Sequence, residues 1–213
     1  MERVVILGAG DLGLSLRTYL ADRGDTRLVG YLDDSRPRGE GVEGVEVLGA
    51  AADAPALQRA GAFDRVVYAI GYRNFEIRIQ LFESLRREGV RFHGVVHPSS
   101  YVHKTAKLGE GVHIFPAAVL DMAVEVEHNV VLNTGVILAH HAHIGPHGYF
   151  GPGAKVSGFT RVGAGCFVGI GSTIIEKLTV GERSLIAAGA VVTGDVPPRS
   201  LMAGVPAVRK KEL

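Results

Sequence analysis

Cysteine is almost missing from this chain. The single one, Cys166, rules out an intramolecular disulfide and fits a reducing compartment. An excess of either charge is missing too. Lys and Arg number 23 against 22 Asp and Glu, a net charge of +1, and no basic stripe offers a footprint for nucleic acid. No window holds the roughly 18–20 uninterrupted apolar residues of a spanning helix, so no membrane insertion is expected. The opening stretch MERVVILGAG reads as a short apolar strand, not as a leader with a basic region and a cleavage site. These absences predict a soluble, cytoplasmic protein. What is present suffices for a real core: apolar residues are 46% of 213, enough for one large domain or two small ones. Glycine, at 29 residues, is the excess that needs a structural reason.

An internal repeat supplies one. Steps of six from Val102 to Val192 meet sixteen positions, and every one is aliphatic or Phe. Steps of six from Ala106 to Ala190 meet mostly small residues, Ala118, Ala142, Gly148, Ala154, Cys166 and Ser184 among them. The residue after the aliphatic one is often glycine, as at Gly109, Gly145, Gly151, Gly163, Gly169 and Gly181. Three short strands per coil make a triangular prism. One aliphatic side chain per strand points inward, a small residue fits the crowded corner, and glycine serves turns that need positive φ. With about 40% of positions apolar by chance, sixteen in a row would be vanishingly rare. The segment from about Val102 to about Pro197 is therefore expected to be a left-handed parallel β-helix, with coils about 4.8 Å apart.

The first half has another rhythm. Val4–Leu7 reads as a buried strand, Gly8–Gly13 as a glycine-rich turn and Leu14–Ala21 as a helix. Leu28–Leu32 is a second strand ending at Asp33-Asp34, and Val66–Ile70 is a third. Asn74–Arg87 is a helix with Phe75, Ile79, Phe82 and Leu85 spaced for one face. Gly94–Val96 is a short strand before His97-Pro98. This is an α/β, half-Rossmann-like βαβ domain over residues 1–97, followed by the prism over 98–213. Gly8–Gly13 fits the GxGxxG pattern, and Asp33 follows Gly13 by 20 residues, the spacing of an acid that binds a ribose. On local grounds an NAD-dependent oxidoreductase or sensor is one reading, although no second mononucleotide half and no hydride site is evident. A uridine nucleotide on the same turn is another.

Several short stretches, in order around the repeats, are similar to those of one family. They are Gly8–Gly13, Leu32-Asp33-Asp34, Ala69-Ile70-Gly71, Val96-His97-Pro98, Leu132–Gly135, Ala139-His140 and Ala203–Ala207. The chain resembles the bacterial sugar acyltransferases with hexapeptide repeats, which include sialic acid O-acetyltransferases and UDP-4-amino-sugar N-acetyltransferases. The resemblance implies a homotrimer with acetyl-CoA as co-substrate, in the groove between adjacent prisms, and no required metal. It implies a nucleotide-sugar substrate on the first domain. The catalytic base falls on His140 and the amide donor to the acyl carbonyl on Gly158. His141 is counted with the catalytic residues, acetyl-CoA contacts fall on Tyr149, Gly158, Ile170 and Ala188, and sugar-nucleotide contacts on Gly10, Asp11, Leu12, Asp33, Asp34 and Gly71. Three departures stand out. The Glu or Asp usual after the base is His141, a second histidine that touches acetyl-CoA in some members is Tyr149, and a Gly-His pair in the first turn is Asp11-Leu12.

Acetyl transfer from a thioester needs an amine or hydroxyl held against the carbonyl, a base and a donor facing the oxyanion. A histidine of pKa near 6.5 suits the base, and His140, two residues past an inward Leu138, should project toward a groove. Asp121, Glu125 or a backbone carbonyl could replace the missing carboxylate. The Glu127-His128 pair lies two hexads away and is expected on another face. His140, His141, His143 and His147 also admit a metal reading, since gamma-class carbonic anhydrases bind a metal on this fold; His141 and His143, two apart on a strand, would share a face. The leading expectation is an acetyltransferase acting on an amino group of a nucleotide-linked sugar in surface glycan assembly. A sialic-acid-type O-acetyltransferase and a non-catalytic prism scaffold are the alternatives.

Overall fold

The computed structural model describes residues 1–213, apart from the side chain of Arg23. It divides into two compact units, Met1–Val95 and Val96–Leu213.

The first unit is a five-stranded sheet. Its strands are β1 (Glu2–Leu7), β2 (Thr26–Leu32), β3 (Gly41–Val42), β4 (Val45–Gly49) and β5 (Arg65–Tyr68), in the order β3-β4-β2-β1-β5. All neighbours run parallel except β3 against β4. The helices are α1 (Asp11–Arg23), α2 (Ala54–Arg59) and α3 (Phe75–Arg87). Val4 to Leu7, the last four residues of β1, are all buried, as a central strand covered on both faces must be. The hairpin β3–β4 and helix α2 were not expected; the hairpin falls in a glycine-rich stretch, and α2 is only six residues long, with little periodicity. Helix α1 begins at Asp11, so Asp11 and Leu12 stand in its first turn and not in the preceding loop.

The inward stripe of α3 differs from the expected one. Arg78, Phe82 and Leu85 are buried, whereas Phe75 and Ile79 are only half-covered. Residues 78, 82 and 85 are spaced for one helix face, and Arg78 is admitted there because its polar head is satisfied. Its Nε–H donates to the Ile70 carbonyl at 3.1 Å, and its guanidinium lies 5.8 Å from the Phe75 ring centre. Phe82 stacks on Phe92 at 4.1 Å and closes this core.

The second unit is the left-handed β-helix. Its two-residue strands form three parallel sheets, and each strand pairs with the one eighteen positions further on, as Ile137–Leu138 does with Lys155–Val156. We call these the first face (through Ile137–Leu138), the second (through His143–Ile144) and the third (through Tyr149–Phe150). From Ile114 to Val192 every predicted inward position is buried. Val102 and Leu108 are more open because they belong to the first coil, with no coil beneath them. Ser200–Ala203 extends the third sheet and turns back into an antiparallel strand, Val208–Glu212. The Ala203–Ala207 stretch closes the last coil, with the Ala207 N–H on the Val191 carbonyl at 2.7 Å.

The glycine reading needs correcting. The glycines after the aliphatic residue do not have positive φ. They are small because the next coil passes over them: a Cβ on Gly169 would lie 2.6 Å from the backbone nitrogen of Ala188. The left-handed residue comes two positions later. From Gly111 to Gly189, fourteen consecutive hexads place a residue of positive φ there, and six of them are glycine. His141 (φ 59°) and Phe159 (φ 58°) occupy that position in successive coils.

Candidate active site

The turn from the first face to the second runs through residues 139–142 in one coil and 157–160 in the next. It carries His140 and His141 below, Gly158 and Phe159 above. The coils are tied by the Phe159 N–H, which donates to the His140 carbonyl at 3.1 Å. The His140 ring rests against the Gly158 backbone: a Cβ there would lie 2.6 Å from Cε1 and 2.9 Å from Nε2. Only glycine leaves room for the ring in this position. Phe159 closes another side, edge-on to His140 at 5.1 Å, and stacks on His141 at 4.7 Å with the rings 17° from parallel. Nδ1 of His140 lies 3.3 Å from Nδ1 of His141. Nε2 of His140 and the Gly158 N–H are engaged by no hydrogen bond among the described residues. A proton acceptor and an unused amide donor thus sit on one edge.

Neither suggested carboxylate bonds to His140. Asp121 accepts the Met122 N–H at 2.6 Å. Glu125 pairs with Lys107 at 2.7 Å on the second face, and that hydrogen bond holds its carboxyl below the usual range. Glu127 pairs with His143 at 3.3 Å and takes no part in the His140 turn. The four clustered histidines separate in space. His140 and His141 share one edge, His143 lies on the second face, and His147 lies on the following edge with its Nδ1 2.9 Å from Asn129 Nδ2. His141 and His143 do not share a strand as expected, because His141 is in a left-handed turn, although both face the groove beside this edge. A groove of about 320 Å³ beside this edge is lined by Ala123, Glu125, His141, Ala142, His143, Phe159 and Arg161.

Of the expected acetyl-CoA residues, Gly158 lies on this edge and the others lie elsewhere on the prism. Ile170 and Ala188, both exposed, occupy the edge between the third and first faces. Tyr149 is half-buried on the third face, its ring parallel to Phe167 at 5.5 Å. Within one chain these groups are therefore not brought together with His140. Cys166, in a corner position, is inert: burial pushes its thiol up to about 11.

In the first unit Gly10 precedes α1, and a Cβ there would meet nothing within 4 Å, so a ligand can approach its backbone. Gly13 plays a structural part, since a Cβ would lie 2.0 Å from the Gly8 carbonyl oxygen. Asp33 is already in use. Its Oδ2 accepts the Ala9 N–H at 2.7 Å, and its Oδ1 accepts the Ser35 N–H at 2.9 Å and hydroxyl at 2.5 Å. Burial alone would raise its pKa, but these hydrogen bonds outweigh it and the net shift is downward. Asp34 Oδ1 accepts the Ala51 N–H at 2.7 Å. Gly71 precedes a short turn into α3 and is open on its Cα side. Phe159 is the site residue that the sequence reading missed. Its signal was a bulky side chain at a repeat position otherwise rich in glycine.

A prism of hexapeptide coils with a histidine on its edge, behind a βαβ unit, defines a two-part hexapeptide transferase. Residues 159–194 match the family described as bacterial transferase hexapeptide (six repeats), and residues 3–85 match the PglD N-terminal domain. Both matches make the chain similar to the bacterial sugar acyltransferases with hexapeptide repeats. Among solved structures it is similar to a histidine-to-asparagine variant of perosamine N-acetyltransferase from Caulobacter crescentus, in complex with CoA and GDP-perosamine. The TM-score is 0.89 at 29% identity, covering 100% of this chain and 98% of that one. It is also similar to the acetyltransferase domain of PglB from Neisseria gonorrhoeae in complex with acetyl coenzyme A, with a TM-score of 0.87 at 29% identity over 100% and 99% of the two chains. Among curated proteins it is 32% identical over 110 residues to the bifunctional protein GlmU of Cereibacter sphaeroides, 46% of this chain and 23% of that protein. It thus spans about a quarter of that relative's length. Among the described residues, no helix is long and apolar enough to cross a membrane.

Proposed function

We propose that this chain is an acetyl-CoA-dependent acetyltransferase that acetylates an amino group of a nucleotide-linked sugar for surface glycan assembly in the cytoplasm. The observation that carries the reading is the similarity over its full length to a perosamine N-acetyltransferase solved with CoA and GDP-perosamine, joined to a histidine with an open Nε2 on the prism edge. The first unit binds the nucleotide sugar, at Gly10, Asp11, Leu12, Asp34 and Gly71. The open Gly10 backbone and the unpaired amides opening α1 suit a diphosphate. Asp33 shapes the same turn, and its remaining lone pairs can still accept from a ribose. Acetyl-CoA lies along Ile170 and Ala188 of one chain, near Tyr149, and meets His140 and Gly158 of another within a homotrimer.

The chemistry follows from the two groups on the edge. The amine nitrogen attacks the thioester carbonyl, whose oxygen takes up negative charge facing the Gly158 N–H. His140 Nε2 accepts the proton that the nitrogen must lose, the C–S bond breaks, and the departing CoA thiolate is protonated. An amine suits a site without a carboxylate beside the base, because it attacks in its neutral form and sheds its proton late, whereas a hydroxyl needs more help.

The test is thiol release from acetyl-CoA with UDP-, GDP-, dTDP- and CMP-linked amino sugars, each beside its hydroxyl counterpart. Turnover with one amino sugar is expected, and His140→Ala should lower it roughly 10²–10⁴-fold, the range for a lost general base. Preference for the hydroxyl sugar, full activity in His140→Ala, or tight NAD binding without response to any nucleotide sugar would reject the reading.

A further inference from the structure

A hydrogen bond between the Nδ1 atoms of His140 and His141 needs one proton, and which nitrogen carries it decides which atom of His140 is basic. We infer that His141, clamped by Phe159, is a positioning residue that fixes His140 as the tautomer protonated on Nδ1. This rests on the reading of His140 as the base. Three observations lead there. The two Nδ1 atoms face each other at 3.3 Å, so one donates and the other accepts. Nε2 of His140 has no partner, whereas His141 is exposed and can pass its own Nε2–H to water. His141 does not hold its ring in place by local packing in a strand; it stands in a left-handed turn, and the Phe159 ring stacks flat on it from the coil above.

The positive φ of both residues supports a specific role. A Phe in the left-handed region is a strained choice where glycine serves in six of the fourteen repeats. Phe159 is moreover 50% exposed, so it is not there to fill the core. What it gains is contact with both imidazoles, edge-on to one and face-on to the other. A neutral imidazole at His141 accepts the Nδ1–H of His140 as a carboxylate would, but without the negative charge. Orientation and tautomer are kept, and the electrostatic support for an imidazolium is lost. The arrangement also depends on pH in a way that a carboxylate partner does not. Once His141 is protonated it cannot accept, so both rings must be neutral for the base to be set. The other titratable or charged groups packed nearby are Asp121 on the coil below, Glu176 and Lys177 on the coil above, and Glu125, His143 and Arg161 beside the groove. Glu125, His143 and Lys177 are paired with Lys107, Glu127 and Glu176.

The experiment uses the full chain labelled with nitrogen-15 histidine. Ring shifts should show His140 protonated on Nδ1 and bare on Nε2, with no substrate present. Phe159→Asn removes the ring but keeps a residue at home in positive φ, and His141→Gly removes the partner in the same way. Both should lose the fixed tautomer and lower kcat roughly 10–10²-fold, with KM for acetyl-CoA unchanged. Phe159→Tyr should restore both readouts. A parent His140 protonated on Nε2, or a Phe159→Asn chain with parental tautomer and kcat, overturns the inference. Because the tautomer is read without turnover, a chain that fails to acetylate any sugar leaves this test standing.

Discussion

At the scale of single residues, Gly158 separates two roles that the sequence alone could not. Its amide was expected to face the acyl oxygen, and that role would survive any side chain. The structure adds that its missing Cβ makes room for the His140 ring. Gly158→Ala should therefore keep the amide, fold normally because its φ is not positive, and bind acetyl-CoA as before. Its kcat should fall roughly 10²-fold, as a displaced base predicts. Melting curves and steady-state kinetics decide this; an unchanged kcat would show that the ring does not need the space. His140 was legible because a short Ala-His stretch follows Asn133-Thr134-Gly135 at a recognisable distance. Phe159 was not, because its partners lie 18 residues away and only coil stacking brings them together. Asp33 was half legible. The spacing from Gly13 marked it as an acid for a ribose, but spacing does not reveal that three donors already claim its carboxylate.

At the scale of elements, the prism was the most readable part, because each hexad repeats one physical demand. An inward aliphatic residue must appear every six positions, or a coil loses its core. Val168 is fully buried in the middle of the stack. Val168→Asp would bury a charge with no partner and should cost several kcal/mol; a melting temperature equal to the parent's would show that the frame is wrong. The glycine positions were misread for an instructive reason. Two constraints both select small residues, a left-handed turn and a close backbone approach, and composition does not distinguish them. The structure assigns close approach to the position after the aliphatic residue and left-handed φ to the position two further on. In the first unit, β3, β4 and α2 escaped notice because they are short, while the strands around Val4–Leu7 and Leu28–Leu32 declare themselves as runs without a charged residue. The α3 stripe was placed wrongly because Arg78 breaks the apolar pattern and is made acceptable only by the Ile70 carbonyl and the Phe75 ring.

At the scale of the molecule, the separation of the expected site residues carries the argument for assembly. His140 and Gly158 stand on the edge between the first and second faces, Ile170 and Ala188 on the edge between the third and first. The prism is a stack of hydrogen-bonded coils with a filled interior, so it cannot fold one edge onto another. If both sets serve one reaction, a second copy must supply one of them, and a closed ring of three copies repeats that pairing at every interface. The consequence is complementation between two inactive chains. His140→Ala spoils the base-bearing edge, and Ile170→Asp, at an exposed position, spoils the acetyl-CoA edge without touching the core. Each alone should assemble and remain nearly inactive. Coexpressed, the two should form mixed trimers in which one interface of three joins two intact edges. Random mixing in equal amounts then returns roughly a quarter of the parental turnover. Sedimentation shows whether the mixed trimers form, and the thiol-release assay shows whether they work. Recovery near a quarter requires a site shared between chains. Mixed trimers with no recovery, or a stable monomer with parental turnover, would place both sets of residues outside a common site and remove the reason for the ring.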